Sequence, residues 1–355
     1  MRRRYVVALM VSATVLVGAV AAEAQSAILK LPDVSQHARF TQRIGLTDIT
    51  IDYHRPLVNG RKIFGGLLAY GKVWRAGANE NTIFEVTDAV TINGQPLPKG
   101  TYGLHMVPGE SSCIVIFSKN SSSWGSFTYD QTEDALRVTV VPRTIENHEV
   151  LTYEFDDPQP NSVVVTMCWE KIAVPFRIEV NTPQITEDSL RGQLRGRAQF
   201  EWQPWMEAAN YLLSNNLKPE EALEWANQSI QNEDRFENEI TKSRALEALG
   251  RKDEARATRD KAIAIGTQLQ VQNFARGLQA QGRQQEAMEL FRINIKKDPN
   301  SWIAHNEAAR IAVAKGDFDT ATKEMKLALA AAPEPLKDPH ADLVRRLENR
   351  QDINK

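Results

Sequence analysis

The second half of this chain repeats itself, and the period fixes what it can become. Alanines stand at Ala222, Ala255, Ala287 and Ala321, spaced by 33, 32 and 34 residues. Gly250, Gly282 and Gly316 each fall five residues before the next of these alanines, where a helix would end in a left-handed cap. Pro299 and Pro333 each follow twelve residues after one. Between these marks Ala, Leu, Glu, Gln, Lys and Arg recur at helical spacing. A period of this size means a stack of helical pairs, because each pair has an apolar face that only a neighbour can cover.

The third unit carries Phe274-Ala275, Leu278, Gly282, Ala287, Phe291 and Pro299, and the fourth carries Ala308-Ala309, Gly316, Ala321, Met325, Ala328 and Pro333. This order of small and bulky residues resembles the tetratricopeptide repeat. The first unit departs from it: Asn215-Asn216 replaces the glycine, and Pro219 stands where the second helix would begin. Four units over 200–333, closed by a polar helix around Ala341 to Asn349, give an α-helical tetratricopeptide-like solenoid over 200–355. The resemblance implies a concave groove that docks a protein or peptide, and it implies no catalysis.

Ahead of the solenoid the texture is different. From His37 to Val180 short β-branched and aromatic runs alternate with turn signals such as Asn93-Gly94, Pro98-Lys99-Gly100 and Pro108-Gly109. About ten strands and no amphipathic helix point to an antiparallel β-sandwich over 25–180. The polar stretch 181–199, with Pro183, Gly192 and Gly196, reads as a linker. Within the β region, Arg61 to Leu67 spells R-K-I-F-G-G-L and Val73 to Glu80 spells V-W-R-A-G-A-N-E. LPKGTYGLHMVPG, IVIFSKN, WG and DALRV follow. On these residues the stretch from Pro32 to Val180 resembles a family of exported bacterial all-β domains of unknown function. The resemblance implies fold and export; it brings no catalytic residue with it.

Pro56 to Thr82 is the stretch in this domain without a period. It holds five of the chain's 19 glycines, Gly60, Gly65, Gly66, Gly71 and Gly77, and reads as a long ordered loop. From Arg55 to Ala78 it is cationic, with Arg55, Arg61, Lys62, Lys72 and Arg75 and no acidic residue. Guanidinium forks and glycine-exposed amides suit a carboxylate or phosphate. Pairing of Arg75 and Arg55 with Glu80, Glu85 or Asp52 would instead pin the loop to the sheet. The candidate ligand-binding residues are His54, Arg55, Arg61, Tyr70, Trp74, Arg75, Asn79, Glu80 and His105. Trp124, Phe127 and Tyr129 lie in a second Ser/Gly-rich loop, where aromatics either stack on a ligand or plug the sandwich end. No catalytic or metal-ligand motif and no cofactor signature is present.

Residues 1–24 read as a signal peptide. Arg2 to Arg4 are followed by an apolar core from Val6 to Val20 and by Ala22-Glu23-Ala24, so cleavage is expected after Ala24 with export to the periplasm or beyond. No later stretch is long and apolar enough to span a bilayer. A net charge of −2 over 355 residues gives no global pull toward nucleic acid. Cys113 and Cys168 can either pair or remain buried thiols. Three functions fit: an exported non-catalytic protein recognising an anionic glycan, peptide or envelope component; a hydrolase with its site at the loop; or a scaffold.

Overall fold

A computed structural model describes residues 32–354; the expected leader and its expected cleavage site lie outside them. The chain divides after Val180 into two compact units.

The first unit is two antiparallel sheets. β1 (Gln36–Ile44), β2 (Thr47–Arg55), β3 (Thr82–Val86), β6 (Gly100–Pro108), β7 (Cys113–Ser118) and β8 (Asp134–Val140) form one, in that order. β5 (Gln95–Leu97), β4 (Val90–Ile92), β10 (Ser162–Val180) and β9 (Arg143–Gln159) form the other. Alternation explains the core: Ile49, Ile51 and Tyr53 of β2 are buried, as are Leu151 and Tyr153 of β9 and Val163, Val165, Met167 and Trp169 of β10. Aromatics join the sheets. Phe176 of β10 lies 5.9 Å from Phe117 and 6.4 Å from Phe84, and Tyr53 meets Tyr153 edge-on at 4.7 Å. Cys113 and Cys168 are both buried free thiols; in strand alternation Cys113 falls with the inward Val115 and Phe117, and Cys168 with the outward Thr166.

Four antiparallel helical hairpins follow in the second unit: α2 (Trp202–Ser214) with α3 (Pro219–Asn232), α4 (Phe236–Ala248) with α5 (Lys252–Ile265), α6 (Gln268–Ala280) with α7 (Gln284–Ile295), and α8 (Trp302–Ala314) with α9 (Phe318–Ala331). The repeat alanines are buried where the helices meet. Each hairpin turns by the same device. Leu217, Arg251, Arg283 and Asp317 donate their amides to the carbonyls of Leu212, Leu246, Leu278 and Ala312, at 2.8–3.0 Å. The residue before each donor is left-handed: Gly250, Gly282 and Gly316 at φ +75 to +79°, and Asn216 at +54°. Asparagine tolerates that region, so the degenerate first unit keeps the turn.

Two expectations change. The stretch 181–199 is not an extended linker: α1 spans Thr182–Gln193. Asn181 accepts from the Gln184 amide, and Pro183 sits in the first turn, where its missing N–H costs nothing. Leu194 is buried with Leu190 against α2 and α3, and Arg191 grips Glu221 at 2.7 and 2.8 Å. Glu187, buried, takes both Arg191 and Lys218. The closing helix, α10, spans Glu334–Glu348 and starts earlier than its polar end suggested, because Pro335 also fits a first turn.

A fragment comparison checks this boundary. The stretch 181–354 should melt cooperatively as a helical protein. The same fragment cut at 200 loses Leu194 and the partners of Glu221 and Lys218, and should be less stable by about 2 kcal/mol or more in urea. Equal midpoints would return α1 to a linker role.

Candidate functional site

The loop from Pro56 to Asn81 is fastened along its whole length. At its start the Val58 amide donates to Glu149 O (2.8 Å), the Leu151 amide to Pro56 O (3.0 Å), and the Asn59 amide to the Glu149 carboxylate (2.8 Å). Arg61 folds back onto the carbonyls of Val58 and Leu57. The Ile63 and Phe64 amides donate to one carboxylate oxygen of Glu170 at 3.2 and 3.4 Å. Gly66 is forced by space, since a Cβ there would stand 2.3 Å from the Lys62 carbonyl. Farther along, Trp74 exchanges both backbone bonds with Met106 of β6 at 2.8 Å and stacks on the buried Trp169 at 5.6 Å. Ala76, at φ +51°, carries the strain of a left-handed alanine, and the buried Tyr153 hydroxyl donates to its carbonyl at 2.8 Å.

Beside this plug lies a cleft of about 420 Å³. Arg61, Trp74, Arg75 and Asn79 line it, with Leu57, Asn59, Leu68 and Trp169 among the other walls. Two lining residues hold buried N–H groups with no partner among the described residues: Trp169 Nε1 and Asn79 Nδ2. An orphaned buried donor costs about 1–3 kcal/mol, so both would gain from an acceptor in the cleft.

The remaining candidates lie elsewhere. Arg55 donates to Leu151 O and the Thr152 hydroxyl at 3.1 and 3.0 Å, fixing β2 to β9. Tyr70 covers Gly65. Glu80 stands 3.4 Å from His54, whose ring is 5.1 Å from that of His37. The expected ion pairs of Arg75 and Arg55 with Glu80, Glu85 or Asp52 are not formed. Arg75 donates to the Asn79 carbonyl, and its guanidinium carbon lies 5.2 and 5.5 Å from the Trp124 and Phe127 rings. Backbone carbonyls and aromatic faces supply what a carboxylate was expected to, because the left-handed turn at Asn79 (φ +55°) aims that carbonyl back at Arg75.

His105 occupies a second site on the outer face of the six-stranded sheet, 3% exposed. Its Nδ1 is 2.8 Å from Ser126 Oγ, and its ring meets Tyr129 edge-on at 5.4 Å. Tyr129 donates to Asp134 at 2.6 Å, while Arg137 donates to both at 2.7 Å. Burial pushes the His105 imidazole down to about 4, with Asp134 opposing and Arg75 adding to the shift. Tyr129 is pushed up to about 12, chiefly by burial and by donating to Asp134. His54 and His105 therefore serve separate neighbourhoods.

Residues 35–178 match the family described as Protein of unknown function (DUF2911). The DUF2911 region thus coincides with the two-sheet unit, and the tetratricopeptide-like hairpins follow it. No curated protein matches the chain. Among solved structures the chain is similar to one in the crystal structure of the APC/C hetero-tetramer Cut9-Hcn1, at 17% identity and TM-score 0.30, covering 48% of this chain and 33% of that one. It thus spans about a third of that relative's length. A second is YrrB, a TPR protein with an unusual peptide-binding site, at 16% identity and TM-score 0.27, covering 46% and 84%.

Sequence reasoning missed Glu170 and Trp169, which receive the loop, and the Ser126, Asp134 and Arg137 surroundings of His105. The WG pair was visible, but only the fold brings it against Arg75.

His105 yields a pH prediction. Its folded pKa lies below the unfolded value of 6.5, so the unfolded chain binds the extra proton between them. Stability from this group is present above pH 6.5 and falls as pH drops toward about 4, by a few kcal/mol on the order of the shift. Imidazole NMR should show His105 neutral down to about pH 4; titration near 6.5 would contradict the burial.

Proposed function

We propose that the chain is an exported, non-catalytic binding protein whose DUF2911 region takes an anionic ligand in the cleft beside the loop. Its helical unit docks a protein or peptide segment. The cleft carries the reading: two arginines and two unpartnered buried donors line one apolar-walled hollow. That chemistry suits a carboxylate on a glycan or other envelope component, held by charge and by N–H donors with a sugar ring against Trp74. Support for docking comes from a hollow of about 330 Å³ lined by α2, α4 and α6, including Leu213, Ile240, Arg244 and Phe274. Support for export comes from the order of charge, apolar core and small residues in 1–24.

A hydrolytic reading keeps one observation, the Ser126–His105 contact with Asp134 nearby. It places the chemistry under the second loop, away from the glycine-rich one where the sequence put it.

Tryptophan fluorescence tests the binding reading directly. A short oligomer of uronic acid should perturb the emission of Trp74 and Trp169 saturably, and its neutral counterpart should not. Arg61→Ala or Arg75→Ala should weaken the uronate by at least about tenfold, the equivalent of 1.4 kcal/mol, and Ser126→Ala should leave it unchanged. Equal response to both sugars, or none to either, would overturn the cleft assignment. Loss of binding in Ser126→Ala would move the site to His105.

A further inference from the structure

The outer face of the four-stranded sheet holds another constellation, separate from the cleft. His148, Glu154 and Cys168 each bring one ligand atom within 4.8 Å of the other two. Glu154 and His148 come from β9 and Cys168 from β10, and no sequence spacing links them. Cys168 opposes Thr152 in the register, so Glu154 is its diagonal neighbour on the same face. His148 reaches the cluster through an irregularity. Unbroken pairing would set it opposite Ile172, two pairs beyond Cys168, roughly 13 Å along the strand. A register shift sets it opposite Glu170 instead, one pair away. The residues it passes over are occupied: Glu149 O and the Leu151 amide pair with Val58 and Pro56 at the start of the loop. Bulges of this kind re-aim side chains and recur beside functional sites.

The three side chains are also uncommitted. Among the described residues Glu154 and His148 form no side-chain hydrogen bond or ion pair, and Cys168 is a free thiol, 5% exposed. We propose that His148, Glu154 and Cys168 form a three-ligand site for a divalent transition metal, zinc by the character of its donors. Imidazole, carboxylate and thiolate together suit zinc, and three protein ligands leave a fourth position open. Tetrahedral bonds to such donors set ligand atoms about 3.3–3.6 Å apart, so the side chains must close by up to about 1.5 Å, within rotamer reach. Metal entry replaces the thiol proton: the S–H bond breaks, a sulfur–metal bond forms, and one proton leaves to solvent. Affinity therefore rises with pH.

Cobalt(II) titration of the metal-stripped full chain tests this. One equivalent should bind saturably with a thiolate-to-cobalt charge-transfer band, and zinc should displace it. His148→Ala and Glu154→Gln should each weaken binding by at least about tenfold, the lower end of what loss of even a supporting group does. Cys168→Ser should remove the band, while Cys113→Ala keeps it. Absence of saturable binding, or a band that survives in Cys168→Ser, would overturn the proposal. Should Cys168→Ser fail to fold, unchanged affinity in Glu154→Gln would overturn it equally, since that isosteric change preserves packing.

Discussion

The β unit depends on one contact more than any other, the stack of Trp74 on Trp169. It joins the loop to β10 at 5.6 Å, and the same tryptophan is bound through its backbone to Met106 of β6 in the opposite sheet. A loop of this length would lose conformational freedom on the order of 1–2 kcal/mol per residue when fixed. The repayment comes from many small sources: the stack, the Glu170 carboxylate on two amides, the Pro56–Val58 pairing with β9, and Tyr153 on Ala76. Glycine and asparagine stand where left-handed backbone is needed, at Asn59, Gly60, Gly65, Gly71 and Asn79. Ala76 is the exception, and it is the residue held by a buried hydroxyl.

The loop also reorganises what surrounds it. By drawing residues 149–151 of β9 onto its own start, it breaks the β9–β10 register and swings His148 toward Cys168. On its other side it supplies Arg75 to the aromatic pair Trp124 and Phe127, which stack on each other at 5.8 Å. Cleft, histidine patch and the proposed metal cluster are thus three consequences of one ordered insertion.

How much of this was legible in the sequence divides along physical lines. Periodic features read through. The alternation in Ile49, Ile51 and Tyr53 marked the inward face of β2, and the 33-residue spacing of alanines and glycines marked the hairpins down to their caps. Arg61, Trp74, Arg75 and Asn79 were picked out by density of charge and glycine, and they do line one hollow. Partners did not read through. Arg75 was expected to meet Glu80 because the two carry opposite charge five positions apart, yet a backbone carbonyl and two rings take it. Nothing local in the sequence says that Glu170, over a hundred residues on, would hold Ile63 and Phe64. The polar look of 181–199 hid a helix because the face it turns to its neighbours is half charged, with Glu187 and Arg191 beside Leu190 and Leu194.

Amide hydrogen exchange resolved to single residues tests the ordered loop most directly. The account predicts that the amides of Val58, Leu68, Gly71 and Trp74, each bonded at 2.8 Å, exchange as slowly as that of Met106 in β6. Exchange of these four at the rate of an open chain, with Met106 still protected, would contradict it.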